Sequence, residues 1–281
     1  MFRQVADRHR SISDAQWTEI LKRSIREPVI DGVAFPAFPP EQIQANFVGS
    51  SNEVALHEAH EFYTFFKERA LTLSNPVDRS SVFLDFGCGW GRFLRFFWRD
   101  VDAEKLCGVD TDPTVLDLCR QLGVEAILNH IEPLGRLPFP DRTFTHIMAY
   151  SVLTHLPEQV QFHWLDELAR VSQPGCVFIC TTEPRRFLHF VESIPQDAPS
   201  PWHEAIKRCA GDVAALKKKF DEGEFVYIPT GGGEYRDESV YGEAVIPPSY
   251  INEHWSKHFY VDDYLDDAQR FWQAVVVYQR R

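Results

Sequence analysis

Apolar positions in the middle of the chain follow two alternating periodicities. Short runs rich in strand formers occupy 82–86, 106–110, 125–128, 144–150 and 176–182, and the segments between them carry apolar residues at helical spacing. Strands alternating with helices predict an α/β fold, a parallel sheet with helices on both faces. Upstream, 53–73 places Leu56, Ala59, Phe62, Phe66 and Ala70 along one stripe, which predicts a long helix leading into the first strand. Ser13 and Asp14 could open an earlier helix over 15–25, before Pro28, Pro36, Pro39 and Pro40 punctuate an extended stretch. Beyond Glu183 the alternation breaks. Pro184, Pro195, Pro199 and Pro201, a helical pattern over 205–220 and the run Gly231-Gly232-Gly233 fill 185–245, and apolar runs at 258–261 and 272–278 follow.

The first run leads directly into three glycines at alternate positions, Gly87, Gly89 and Gly91, after which Phe93, Leu94, Phe96 and Phe97 recur at helical spacing. That order is strand, glycine turn, helix. A glycine has no Cβ and reaches positive φ at little cost, so backbone there can approach a ligand closely. The spacing G-x-G-x-G departs from the dinucleotide fingerprint G-x-G-x-x-G, and no Gly-Lys-Ser/Thr follows as a P-loop requires. Asp85 stands two places before the first glycine, and Asp110 ends the second run 19 residues after Gly91. A carboxylate at the end of that strand can accept both hydroxyls of a ribose. The plainer alternatives are a tight turn without a ligand and, for Asp110, a helix N-cap.

The series Asp85-Phe86-Gly87-Cys88-Gly89-Trp90-Gly91, followed by Leu106-Cys107-Gly108-Val109-Asp110, resembles the first two motifs of class I S-adenosylmethionine-dependent methyltransferases. The segment 137–147, then Tyr150-Ser151-Val152-Leu153-Thr154-His155-Leu156-Pro157, 165–171 and Pro174-Gly175 continue the resemblance in order. Thr145, where many relatives carry Asp, and Cys176, in place of a second glycine, depart from it. The resemblance implies a Rossmann-like, doubly wound, mostly parallel seven-stranded sheet with an antiparallel last strand, 258–261 and 272–278 supplying the last two strands. It implies an N-terminal helical cap over 1–75 and a methyltransferase domain over 76–281, with 185–245 inserted between strands five and six. Ligands of open α/β sheets bind beyond the carboxyl ends of the strands, so that insertion is placed to act as a substrate lid; the alternative is an ornament packed elsewhere.

S-adenosyl-L-methionine is the implied cofactor. Its site would take Asp85, Phe86, Gly87, Cys88, Gly89 and Gly91 from the first turn, with Asp85 near the methionine ammonium directly or through water. Asp110 and Thr111 would follow the second strand, Asn129 and His130 would leave the third beside the adenine, and Tyr150 would line the methyl-donor end. Methyl transfer is an in-line displacement that needs an aligned acceptor. A hydroxyl acceptor gains from a general base, and His155, a short turn after the fourth strand, is the candidate catalytic residue. A helix-start histidine bonded to backbone is the competing reading. Arg185 and Arg186 could take an anionic acceptor group or stand in a solvated turn. Tyr63, Trp202, His203, Tyr235 and Tyr241 offer aromatic surface suited to a sugar or a planar ring. These features lead us to expect O-methylation of a sugar, glycan or small natural product; N- or C-methylation, or a non-catalytic scaffold that binds the cofactor, are the alternatives.

Composition narrows the partners. An apolar fraction of 44% suits a globular core, while a net charge of −12 and a pI near 5.4 argue against nucleic acid, which needs a basic face. No apolar run is long enough for a membrane span, and Met1-Phe2-Arg3-Gln4 lacks the apolar core of a signal peptide, so a cytoplasmic location is expected. The six cysteines form no C-x-x-C pair and are expected to be reduced and buried. His57 and His60 share a helix face, but spacing alone does not make a metal site and none is expected. A homodimer stays open.

Overall fold

In the computed structural model, which describes residues 3–5, 7–232 and 237–281, helices from the N-terminal segment pack against one side of the sheet. Helix α1 spans Asp14–Ser24 and starts at a reciprocal cap, in which the Ser13 hydroxyl accepts from the Gln16 backbone and the Gln16 side chain accepts from the Ser13 backbone. Helix α2, Glu41–Val48, ends at Gly49 with φ 76°. Helix α3, Asn52–Thr72, buries the stripe Leu56, Ala59, Phe62, Phe66 and Ala70.

The alternating segment then gives β1 Phe83–Phe86, α4 Arg92–Phe97, β2 Leu106–Asp110, α5 Pro113–Gln121, β3 Ile127–His130, β4 Phe144–Ala149, α6 Glu158–Val171 and β5 Ser172–Thr182. The insertion carries α7 Arg185–Ser193, α8 Pro201–Ala210, α9 Val213–Asp221 and a short antiparallel ribbon of Val226–Ile228 with Glu243–Val245. Helix α10 Pro248–His254, β6 Phe259–Leu265 and β7 Ala274–Arg280 complete the chain. The sheet order is β6-β7-β5-β4-β1-β2-β3, parallel from β5 to β3, with β7 antiparallel to both of its neighbours. This is the expected doubly wound, mostly parallel sheet of seven strands.

Three details differ from the sequence reading. The third strand begins at Ile127, because the chain is still turning through Gly123 (φ 74°), with Val124 N–H bonded to Cys119 O. Asn129 and His130 therefore end β3, paired with Val109 and Asp110, instead of leaving it. The helix expected over 205–220 is two helices: Gly211 breaks it at φ 60°, and the Asp212 carboxylate caps α9 by accepting from Ala214 and Ala215 N–H. Gly233 and Tyr235 lie outside the described residues.

The sheet separates two apolar cores. One is built with α1, α3, α4 and α5, the other with α6 and α10, and the insertion has a small core of its own around Phe187, Leu188, Ile206, Phe220 and Val245. The N-terminal helices are also tied by charge: Arg99 donates to the Tyr63 hydroxyl at 2.8 Å and to Asp100 at 3.0 Å, while Lys67 donates to Asp14 at 2.7 Å and Asp100 at 3.2 Å.

Phe66 of α3 packs edge-on to Phe97 at 5.5 Å and against Phe83 at 5.2 Å, and is fully buried. Phe66→Ala should cost about 3–5 kcal/mol through the cavity it leaves. Urea denaturation with an unchanged slope would report it.

Candidate active site

Each glycine of the first turn has its own reason. Gly87 and Cys88 N–H both donate to Val109 O at 2.9 Å, which lays the turn flat on β2. Gly87 stands at φ 79°, and a Cβ there would collide with the Val152 side chain. At Gly89 it would meet Phe47 of α2 at 3.4 Å. Gly91, at φ 77°, faces Val124 and Cys119, so its role is close helix packing. Gly108 matters equally, because a Cβ there would meet Cys88 Sγ and Leu94 Cδ1 at 2.9 Å. The Asp110 carboxylate closes the turn, accepting from Gly89 N–H at 2.9 Å and Asp112 N–H at 3.0 Å.

Asp85, at the end of β1, is 2% exposed and its Oδ2 has no hydrogen-bond partner. Burial, reinforced by the Asp110 charge and opposed by Arg92, pushes its carboxyl up to about 8. Arg92 itself is buried; it donates to Ala55 O at 3.2 Å, lies 3.5 Å from Glu58 and covers the rings of Phe93 and Tyr150. The Tyr150 ring packs on Phe62 at 4.8 Å and Phe93 at 5.0 Å, toward the N-terminal helices. A buried carboxylate with an unfilled oxygen is what the ammonium of a methionine moiety would complete, so the residues present fit that group. Phe86 turns its ring to Trp164 at 4.9 Å in the opposite core, and Cys88 turns its sulfur to Gly108, leaving both to offer backbone only. His130 Nε2 donates to Thr111 O at 3.1 Å and braces the loop after β2.

A second cluster lies where β4 ends. Ser151 holds a left-handed φ of 57°, rare for a non-glycine residue; its N–H donates to Thr181 Oγ1 at 2.7 Å and its hydroxyl accepts from Gln273 Nε2 at 2.9 Å. His155 sits in the following single turn, Leu153–His155. It exchanges two bonds with the insertion: Gly242 N–H donates to His155 O at 2.8 Å, and His155 Nδ1 lies 2.9 Å from Gly242 O. A carbonyl only accepts, so Nδ1 carries the proton and Nε2, 3.4 Å from Ser151 Oγ, presents its lone pair. Glu243 Oε2 is 3.4 Å from Nδ1, and the Tyr241 ring stacks on the imidazole at 4.5 Å. Burial opposes charge on His155, but the Glu243 carboxylate and the Gly242 carbonyl outweigh it and lift its pKa above the usual histidine value.

Glu243 and Glu183 complete this cluster, and neither figured among the sequence candidates. Glu243 Oε1 accepts from Trp202 Nε1 at 2.7 Å, and Glu183 Oε1 accepts from Gln273 Nε2 at 3.0 Å. Burial and the neighbouring Glu243 push the Glu183 carboxyl up to about 8. Glu183, the residue after β5, occupies the kind of strand-end position that drew attention to Asp85 and Asp110; Glu243 has no local signal, since the insertion delivers it from far along the chain.

Other candidates lie elsewhere. Arg185 pairs with Asp221 at 2.6 Å and Arg186 with Asp266 at 2.7 Å, so both cations are already matched. Tyr63 is in the N-terminal network, away from any lid, and His203 Nδ1 bonds Ser200 Oγ at 2.7 Å. His60 Nδ1 bonds Thr18 Oγ1 at 2.8 Å, and among the described residues no group of His, Cys, Asp and Glu is arranged to hold a metal. Thr145 accepts from Val82 N–H at 3.0 Å at the start of β4, the far end from this site.

The methyltransferase-domain family matches residues 84–180. Over 164 residues the chain is 31% identical to an aklanonic acid methyltransferase of Streptomyces sp. (strain C5), a match spanning 53% of this chain and 74% of that one. The chain belongs to the class I S-adenosylmethionine-dependent methyltransferases. It is also 34% identical over 114 residues to an uncharacterized methyltransferase of Schizosaccharomyces pombe, across 37% of this chain and 40% of that relative, so it spans less than half of the relative's length. Among solved structures, the PH0226 protein of Pyrococcus horikoshii shares the fold, with a TM-score of 0.51, 17% identity, and coverage of 79% of this chain and 92% of that one. S-adenosylmethionine is the cofactor of this methyltransferase family. No helix among the described residues is long and apolar enough to cross a membrane.

Asp85→Asn keeps the shape of the side chain and removes its charge. It should weaken S-adenosylmethionine binding at least about tenfold without lowering the thermal midpoint of the ligand-free methyltransferase. Titration calorimetry and thermal denaturation read the two effects; unchanged affinity would reject the assignment of Asp85 to the cofactor ammonium.

Proposed function

We propose that the protein methylates a hydroxyl oxygen of a small, ring-containing acceptor, a sugar, a glycan unit or a natural product, with His155 as general base. The observation that carries this reading is the histidine's fixed tautomer: Gly242 O holds the proton on Nδ1, and Nε2 keeps its lone pair, in a long 3.4 Å contact with the Ser151 hydroxyl at the end of β4. Asp85 would hold the methionine ammonium, with the backbone of Phe86, Gly87, Cys88 and Gly89 bordering the cofactor and Gly91 holding α4 close. Asp110 would take the ribose hydroxyls, Thr111, Asn129 and His130 would border the adenine, and Tyr150 would support the donor end. When bound, S-adenosylmethionine supplies a methyl group on sulfonium; the acceptor oxygen forms the new C–O bond as the C–S bond breaks, its electron pair passing to sulfur.

His155 receives the hydroxyl proton at Nε2, and Glu243 stabilises the imidazolium that results. Glu243 acts through His155 and is a positioning residue. The insertion 185–245 supplies Tyr241, Gly242 and Glu243 to this cluster, which supports its reading as a lid, and 1–75 is read as a cap over the glycine turn through Phe47. The Streptomyces relative, named for aklanonic acid, supports a small-molecule acceptor. A cytoplasmic setting agrees with six free cysteines, five of them buried.

His155→Ala should lower kcat by about 10²-fold or more. Retained turnover with intact cofactor binding would reject the role. Only the neutral ring accepts a proton, so kcat should rise with pH through a pKa above histidine's usual 6.5. Glu243→Gln removes the charge that favours the imidazolium and should move that rise to lower pH. A rise that stays in place would show that Glu243 does not tune His155.

A further inference from the structure

Glu183 and Glu243 are 3% and 0% exposed, yet Oε2 of each lacks a hydrogen-bond partner. The Oε1 atoms are spoken for by Gln273 and Trp202, and the positive group in contact is His155, which touches Glu243 alone. The two guanidiniums that follow Glu183 in the chain are turned elsewhere, Arg185 to Asp221 and Arg186 to Asp266 and the carbonyls of Phe271 and Trp272. Gln273 Oε1 and Thr182 Oγ1, both buried in the same neighbourhood of β5 and β7, are also unpartnered. Two neighbouring buried carboxyl groups are costly to ionise together unless a ligand supplies positive charge and donors.

The same residues adjoin an exposed aromatic wall. Trp202, whose indole N–H reaches Glu243, is 39% exposed, and Trp272, next to Gln273 in the chain, is 55% exposed. Phe190 joins them, stacked on Trp202 at 5.6 Å and edge-on to Trp272 at 5.4 Å. Aromatic faces attract a cation and the flat face of a ring.

We propose that the acceptor carries a protonated amine on or beside its ring, with the ammonium bound between Glu183 and Glu243 and the ring laid against Trp202 and Trp272. An ammonium has three donors, enough to fill Glu183 Oε2 and to reach Glu243 Oε2, whose contact with His155 Nδ1 is a long 3.4 Å. This specificity rests on the reading of the His155 cluster as the acceptor site, and it selects amino sugars and aminated ring compounds over their neutral counterparts.

Calorimetry on the full chain saturated with S-adenosylhomocysteine tests it. Tyramine, glucosamine and 4-aminocyclohexanol are each compared with their N-acetyl forms, which keep ring and hydroxyl but lose the charge. At least one amine should bind about tenfold or more tighter than its N-acetyl partner, and Glu183→Gln should erase that preference. Equal or weaker binding of every amine in the wild-type protein overturns the proposal and needs no variant. A preference that survives both Glu183→Gln and Glu243→Gln overturns it too. The readout is binding, so a preference kept in His155→Ala supports the amine site whatever that variant's turnover, and separates this proposal from the general-base reading.

Discussion

The carboxyl edge of the sheet depends on how closely the turn after β1 can lie on β2. Val109 O takes two N–H groups from that turn, and the missing Cβ of Gly108 leaves room for Cys88 and Leu94 to press down on the strand. With the turn flat, Gly89 N–H reaches Asp110 and α4 starts close enough to bring Arg92 over Tyr150 and into the field of Asp85. A side chain at 108 would lift the turn and separate these groups together. Gly87 makes room for Val152 and Gly89 faces Phe47, while the glycines at 91 and 108 let α4 and the turn pack close to their neighbours.

Much of this was legible in the chain because strands buried on both faces read as continuous apolar runs. Of the seven strands, β1, β2, β4, β5 and β7 fall where such runs stand, the edge strands β3 and β6 are only partly buried and match less closely, and the positions just at or after the strand ends yield Asp85, Asp110 and Tyr150. The misplacement of β3 has a physical cause: Val124 and Ala126 are apolar and continue the run backwards, but Gly123 and the Val124 bond to Cys119 keep them in a turn. Apolar spacing runs unbroken across 205–220, but Gly211 turns the chain at φ 60° and the Asp212 carboxylate starts a new helix there. Glu243 was beyond any local rule. Its partner His155 lies far back in the chain, and only the paired bonds between His155 and Gly242 bring them together.

Buried charge is handled in two ways within one molecule. Between α1, α3 and α4, the carboxylates of Asp14 and Asp100 share Arg99, Lys67 and the Tyr63 hydroxyl, so the charged groups are compensated within the protein. That network fastens the N-terminal helices and holds Asp14 below the ordinary carboxylate range. At the sheet edge the acids outnumber their partners. Asp85 and Glu183 each keep an oxygen without a donor, and Glu243 Oε2 has only the long 3.4 Å contact of His155 Nδ1, although the same chain shows that it can surround an acid with cations.

That contrast has a definite thermodynamic sign. Asp85 and Glu183 are raised to about 8, mainly by burial and further by a neighbouring acid. A carboxyl whose folded pKa lies above its unfolded one is harder to ionise in the fold, so the ligand-free protein loses stability as pH climbs from the ordinary carboxylate range toward 8. A bound cation reverses the balance by favouring the ionised form. On the proposed reading, the same two positions that weaken the ligand-free fold would hold part of the free energy of binding, because a site completed from outside is stabilised most where its own residues leave it short of positive charge.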